Sequence, residues 1–421
     1  MIIEHIEVIP LHMPYQPGLD EHLARSGLLN FANQVTLYRV QLRGGAVGWG
    51  DQMGGPTPID QFIGQSALAG LKHIVHPGIQ MACYDAVGRA LDLPAHALMG
   101  RQVRPRVPMA YWTADLPPHL WAQHARKAVE LGYRVYKFKC RPWWDPLEQI
   151  EAVQEAVPPG FTFWLDFNGH LRETRQALPV LQALSRYDCV GGFESPIPQR
   201  DAAGYRQLRA KIDRPIAAHF GSGCCHVRSV PGFDPGVPAN QQIKQGLCDS
   251  FVLGGADIEQ VRHCAAVLQE ARRPFWIQVI GSGLRAYWVA HLASVCSQAI
   301  LSNLAAHTIW EPDLVAPLPM EAGWLAVPQG PGLGAEPNLE IVEQVRQTKS
   351  EPPPRRLTTV VYADGQRHHY GNDRLRHETH YLGSAPGFTP GIRLETRFDD
   401  GSTDFADLFR RSQEAPVVEN C

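Results

Sequence analysis

Apolar and polar positions change rhythm twice along this chain. Residues 2–11 alternate with the two-residue period of a half-buried strand, and residues 35–42 repeat the pattern. Gly44-Gly45 suits a tight turn into a third strand at 46–49, and helical stretches follow to about residue 91. This predicts a small α+β unit. From about residue 106 strands alternate with helices. Residues 107–112 read as a strand; Pro117-Pro118 opens a helix that reaches Leu131, and Gly132 ends it. Further strands are predicted at 135–139, 161–167, 190–194, 215–219, 250–253 and 274–279. Asp145-Pro146-Leu147-Glu148 has the composition of a helix start. Strands alternating with helices imply parallel βαβ units and an α/β fold. No Gly-x-Gly-x-x-Gly follows the first strand, so a parallel (β/α) barrel is preferred to a dinucleotide-binding sheet. Past Glu351-Pro352-Pro353-Pro354 the pattern becomes that of hairpins, one turning at Asp364-Gly365 and a second around Asp399-Asp400-Gly401-Ser402.

Composition narrows the function classes. The 421 residues are 44% hydrophobic and 19% charged, enough for two or three domains with a large core. A net charge of -3 argues against a nucleic-acid or anionic-membrane partner. No apolar run approaches membrane-spanning length, and the N-terminus has two early acids and no basic region, so neither a membrane span nor a signal peptide is expected. Nine cysteines without a Cys-x-x-Cys framework read as reduced, in a cytoplasmic setting, and the adjacent Cys224-Cys225 are poorly placed for zinc. Only seven of the 39 basic residues are lysines.

That scarcity gives weight to Lys137-Phe138-Lys139, where strand alternation puts both amines on one face. Lysine, unlike arginine, can lose its proton when desolvated beside another cation, so the pair suits a general base with a charged neighbour. An exposed edge strand with two solvated amines is the alternative. The next two strands end at Asp166 and Glu194, 27 and 28 residues on, one strand-plus-helix unit each. Two carboxylates on adjacent strand ends beside two lysines describe a hard-cation site with a base next to it, since Mg²⁺ takes oxygen ligands. Simple pairing of Asp166 and Glu194 with the lysines is the other reading.

Lys-x-Lys, Asp-x-Asn and Glu-x-Pro at successive strand ends resemble the enolase superfamily of the mandelate racemase and muconate lactonizing type. Gly48-Trp49-Gly50-Asp51, the helix and turn from Asp85 to Gly100, and the glycine-rich stretch from Gly323 to Gly334 are similar to further family segments. The resemblance covers roughly residues 1–335. It implies an N-terminal α+β capping domain (1–105), a (β/α) barrel catalytic domain (106–335) and a C-terminal segment (336–421) that returns to the cap and carries a β-hairpin extension. It implies removal of the proton α to a carboxylate of a small-molecule substrate, with the enediolate stabilised by bound Mg²⁺. Asp166 and Glu194 match two metal ligands, Lys139 the base and Lys137 its cationic neighbour; a homo-oligomer is expected.

The resemblance breaks at the third metal ligand, where the strand ends in His219 and not in an acid. His219 is either a ligand, which would favour Mn²⁺ or Zn²⁺ over Mg²⁺, or a hydrogen-bonded catalytic acid. The following strands end in Gly254 and near Gln278 and Gly281, so no acid or base serves the opposite substrate face; Arg285, His170 or the loop from Gly221 to Pro238 are candidates for that role. With one face equipped, dehydration or cycloisomerisation is favoured over racemisation. A catalytically inactive binding or structural protein is the reading from another class. His368-His369, His377 and His380 are expected at the surface. Trp143-Trp144 line a pocket or pack on the next helix, and the tail is expected to pack on the N-terminal unit or on a neighbouring subunit.

Overall fold

The computed structural model describes residues 1–19, 33–221, 236–255, 257–348 and 354–420. In chain order the strands are β1 (Ile3–His12), β2 (Gln34–Leu42), β3 (Val47–Met53), β4 (Arg106–Pro108), β5 (Tyr111–Thr113), β6 (Val135–Lys139), β7 (Thr162–Asp166), β8 (Val190–Glu194), β9 (Ile216–His219), β10 (Ser250–Gly254), β11 (Phe275–Gln278), β12 (Met320–Glu321), β13 (Trp324–Ala326), β14 (Arg356–Val361), β15 (Arg367–Tyr370), β16 (Arg393–Phe398) and β17 (Val417–Glu419). They form the expected α/β fold: an N-terminal antiparallel sheet, a curled parallel sheet of half-barrel type, and a C-terminal extension. The described residues divide into two compact units, one drawn from Met1–Asp20, Phe31–Trp112 and Phe251–Ser350, the other from Thr113–Ser250 and Glu351–Cys421.

In the first unit β1-β2-β3 form an antiparallel sheet against the helix Pro77–Leu91. The glycines of the Gly-Trp-Gly-Asp segment explain that contact. A Cβ on Gly48 would lie 2.1 Å from the Ala82 carbonyl oxygen, and one on Gly50 2.1 Å from that of Gly78. Asp85, on the same helix, accepts the backbone N–H groups of Trp49 (2.9 Å) and Leu333 (2.8 Å), which anchors the glycine-rich segment. The parallel pair β10–β11 and the helix Leu339–Arg346, which packs against β1, belong to this unit.

The second unit carries β6, β7, β8 and β9 side by side in sequence order, all parallel. The helices that follow β6 and β8 have readable starts. Asp145 caps Pro146–Gln154 by accepting the Leu147 N–H, and Asp201 caps Ala202–Arg209 by accepting the Gly204 N–H.

The expected hairpin at Asp364-Gly365 forms, β14 pairing antiparallel with β15, but the rest of the tail departs from expectation. Residues 354–420 form a four-stranded antiparallel sheet, β16-β14-β15-β17, with the helices Asp373–Leu382 and Thr403–Arg411. Around Asp399–Ser402 there is no hairpin; Ser402 caps the second helix by accepting the Phe405 N–H. The extension packs inside the second unit, where Trp143, Trp144, Val360, Tyr362, Tyr370, Ile392 and Leu394 share one buried cluster. Both indole N–H groups donate to Asp115 Oδ1, at 2.9 and 2.8 Å. The two tryptophans thus anchor the extension, and neither the cap nor a second subunit is needed to cover them. His368, His369, His377 and His380 are buried, not surface residues, because the extension has a core of its own. Among the described residues no helix is long and apolar enough to cross a membrane, and Cys83, Cys140, Cys189, Cys248, Cys264 and Cys296 are free thiols. Cys224 and Cys225 lie outside the described residues.

Candidate active site

Strand register brings the predicted residues together. Lys139 is level with Asp166 across β6–β7, and Asp166 is level with Glu194 across β7–β8. Period-two alternation puts Lys137 and Lys139 on the same sheet face as both carboxylates. Lys137 Nζ lies 2.6 Å from Glu194 Oε2 and 3.5 Å from Asp166 Oδ2, and Lys139 Nζ is in contact with Asp166 Oδ2. The two lysine side chains are only 3% and 1% exposed, so the edge-strand reading is excluded. Asp166 Oδ1 accepts the backbone N–H of Asn168 at 2.9 Å. Burial by itself opposes ionisation of Asp166, but the ammonium groups, Lys139 foremost, hold its carboxyl well below the usual carboxylate range.

His219 stands further along. β8 and β9 pair Glu194 with Ala217, so His219 is two residues, about 6.6 Å of strand rise, beyond the level of the carboxylates. Its Nε2 reaches back to within 3.2 Å of Glu194 Oε1. Its main chain is clamped: the His219 N–H donates to Gln199 Oε1 (2.9 Å), and its carbonyl accepts from Gln199 Nε2 (2.9 Å) and Gln242 Nε2 (2.8 Å).

Asp166, Glu194 and His219 are the residues expected to hold a metal ion. Among the described residues no three His, Cys, Asp or Glu side chains are grouped to hold a metal ion. The chain's own ammonium groups lie against the carboxylate oxygens, which accounts for this. As arranged, these residues do not fit a bound divalent cation. They form a buried, charge-balanced cluster of two amines and two carboxylates with an imidazole at its edge.

The sequence reasoning gave no role to four neighbours. Arg141, two residues past Lys139, is buried and donates to Asn168 Oδ1 at 3.1 Å. Asn168 and Ser195 adopt left-handed backbone, φ 47 and φ 45, directly after the two carboxylate strands. Gln199 lies five residues past Glu194 in a loop whose composition gave no sign of it. Of the candidates for the opposite face, Arg285 is committed elsewhere: its Nε lies 3.2 Å from Asp51 Oδ1, while Asp51 Oδ2 accepts the Ser282 N–H at 2.7 Å. His170 is buried and neutral, its pKa pushed down to about 3 by burial first and by Arg141 second. Residues 222–235 of the predicted covering loop lie outside the described residues.

Comparison with known proteins adds the following. A family model described as enolase C-terminal domain-like matches residues 120–341, more than half of the chain. The chain is 25% identical over 139 residues to an N-succinyl-L-Arg/Lys racemase of Bacillus cereus; the match covers 33% of this chain and 37% of that racemase, well under two thirds of its length. It is 28% identical over 278 residues to an N-succinylamino acid racemase of an Amycolatopsis species, covering 64% of this chain and 71% of the relative. Among solved structures, a mandelate racemase/muconate lactonizing family protein from an Azoarcus species superposes with a TM-score of 0.63 at 20% identity, over 83% of this chain and 98% of that one, a likeness of fold.

Proposed function

The chain belongs to the enolase C-terminal domain-like family, and from that premise we propose that it removes the proton α to a carboxylate of a small-molecule substrate, with Lys139 as base and Lys137 as the neighbouring cation. The observation that carries this reading is the buried lysine pair set level with Asp166 and Glu194 at adjacent strand ends. In the step, the C–H electron pair moves into the substrate carboxylate to give an enediolate, and the proton goes to the neutral Lys139 amine. Lys137, held by Glu194, faces the developing negative charge. If the substrate bears a β-hydroxyl, the enediolate expels it and Lys139 returns the proton to the leaving oxygen, which closes the cycle with one base.

Single-base chemistry, a dehydration or cycloisomerisation, is preferred to racemisation. β10 ends in Gly254 and β11 in Gln278, neither of which is a base. The relatives named as racemases therefore inform the first half-reaction more than the outcome. Among the described residues no trio of His, Cys, Asp or Glu closes around the divalent cation expected from the family, Mg²⁺, or Mn²⁺ or Zn²⁺ through His219.

One observation favours a second, non-catalytic reading: Lys139 lies against Asp166, and an ammonium cannot accept a proton. Incubation with a library of carboxylic acids in deuterated water separates the two. Exchange of the α-hydrogen, abolished in Lys139→Ala, is expected. No exchange with any acid up to about pH 10, near the ordinary lysine pKa, would leave the binding or structural role standing.

A further inference from the structure

The C-terminal extension lies beyond the matched family segment, yet it is built onto the two loops that follow the strands of Lys139 and Asp166. Residues 140–145 follow β6, and residues 167–172 follow β7. Asp145 binds the extension twice: its N–H donates to the Ile392 carbonyl (3.2 Å), and its Oδ2 accepts the Gly391 N–H (2.9 Å). Gly169 lies against Tyr381, where a Cβ would come to 3.5 Å from the ring.

Phe388 of the extension touches both loops. Its N–H donates to the Pro142 carbonyl at 2.8 Å, and its ring meets that of Phe167 edge to face, with centroids 5.4 Å apart. Gly387 permits the approach to the first loop, since a Cβ there would lie 2.5 Å from Pro142 Cβ. Phe388 itself has left-handed backbone, φ 57, which a bulky residue adopts only where its surroundings impose it. The side chain is buried, but it is not part of the cluster around Trp143 and Trp144 that anchors the extension.

The two residues that Phe388 holds flank a link to the lysine cluster. Pro142 follows Arg141, and Phe167 stands between Asp166 and Asn168. Arg141 Nη1 donates to Asn168 Oδ1 at 3.1 Å, and the Asn168 N–H donates to Asp166 Oδ1 at 2.9 Å. Asn168 is also left-handed, φ 47, so the turn that aims its N–H back at Asp166 depends on the contacts that hold it. Asp166 in turn lies against Lys139. A continuous path of contacts therefore runs from Phe388, through both loops, to the carboxylate beside the amine.

We propose that Phe388 is a positioning residue for the lysine cluster: it clamps the loops after β6 and β7, so that the Arg141–Asn168 link holds Asp166 against Lys139. The inference rests on the reading of Lys139 as the base. Phe388 touches no reacting atom, and its effect passes through Pro142 and Phe167. The extension thereby does more than cover Trp143 and Trp144, because it sets the geometry of strand ends that lie some two hundred residues before it in the chain.

Amide hydrogen exchange of the full chain, read by mass spectrometry, tests this with two variants. Phe388→Gly removes the ring and relieves the left-handed backbone, which offsets part of the lost packing. Phe388→Tyr keeps the ring. In Phe388→Gly, residues 140–145 and 167–172 should exchange about tenfold faster while β14 and β15 keep their protection, and Phe388→Tyr should restore the loops. For the acid whose α-hydrogen the unaltered chain exchanges fastest, Phe388→Gly should lower kcat about tenfold and leave KM within about twofold. Unchanged exchange in the two loops would overturn the proposal. So would equal loosening of β14 and β15, which would make Phe388 an ordinary core residue of the extension, and so would loosened loops with an unaltered kcat. If the unaltered chain exchanges no acid, the reading of Lys139 as base fails, and loop exchange alone then decides whether Phe388 holds the cluster.

Discussion

Lowering the pH from 7 to 5 should destabilise this protein through histidines that the fold holds neutral. His291, His307 and His380 are buried, and burial pushes each pKa from the ordinary 6.5 down to about 4. The folded value is the lower one, so above pH 6.5 both states are neutral and nothing is lost. As pH falls below 6.5 the unfolded chain takes up a proton that the folded chain refuses. The penalty grows by about 1.4 kcal/mol per pH unit per histidine and levels off below about pH 4. At pH 5 each group contributes about 2 kcal/mol of destabilisation, about 6 kcal/mol for the three, against a total stability of about 5–15 kcal/mol. Urea unfolding followed by circular dichroism at pH 7, 6 and 5 measures this directly. The midpoint should fall steadily, and His380→Gln should remove about one proton's share of the slope. Coincident unfolding curves at pH 7 and pH 5 would refute the assignment of these histidines as neutral in the fold.

Two further outcomes follow from the packing and from the charge cluster. Ending the chain after Thr348 strips Val360, Tyr362, Tyr370, Ile392 and Leu394 from Trp143 and Trp144; a loss on the order of 5 kcal/mol or more is expected, visible as a lower melting temperature or aggregation, and an unchanged melt would show the extension to be dispensable. Calorimetry with Mg²⁺, Mn²⁺ and Zn²⁺ should give dissociation constants above about 1 mM for the unaltered chain; tight binding of Mg²⁺ at one site would contradict the reading that the ammonium groups against the carboxylates keep a cation out.

Much of the lysine cluster was legible in the sequence because it depends on local rules. Strand alternation places Lys137 and Lys139 on one face whatever surrounds them. Spacings of 27 and 28 residues carry Asp166 and Glu194 to the ends of the next two strands, and in-sequence parallel pairing makes those ends neighbours. The capped start of the first intervening helix is equally local, since Asp145 needs only the Leu147 N–H two residues away. Contacts between segments distant in sequence are different. The same rhythm of spacing led to His219, but only the β8–β9 register revealed that it stands two residues beyond the level of Glu194. His368, His369, His377 and His380 are polar enough to read as surface, yet they are buried because the four-stranded sheet closes over Trp143 and Trp144, some two hundred residues earlier. Asp399–Ser402 has the residues of a hairpin turn, but β16 pairs with β14, and Ser402 is left to start a helix. Propensity and period determine which residues lie on one strand face. Strand offset, and which apolar surface a distant segment covers, are decided by the free energy of the assembled core, and no window of the sequence contains that.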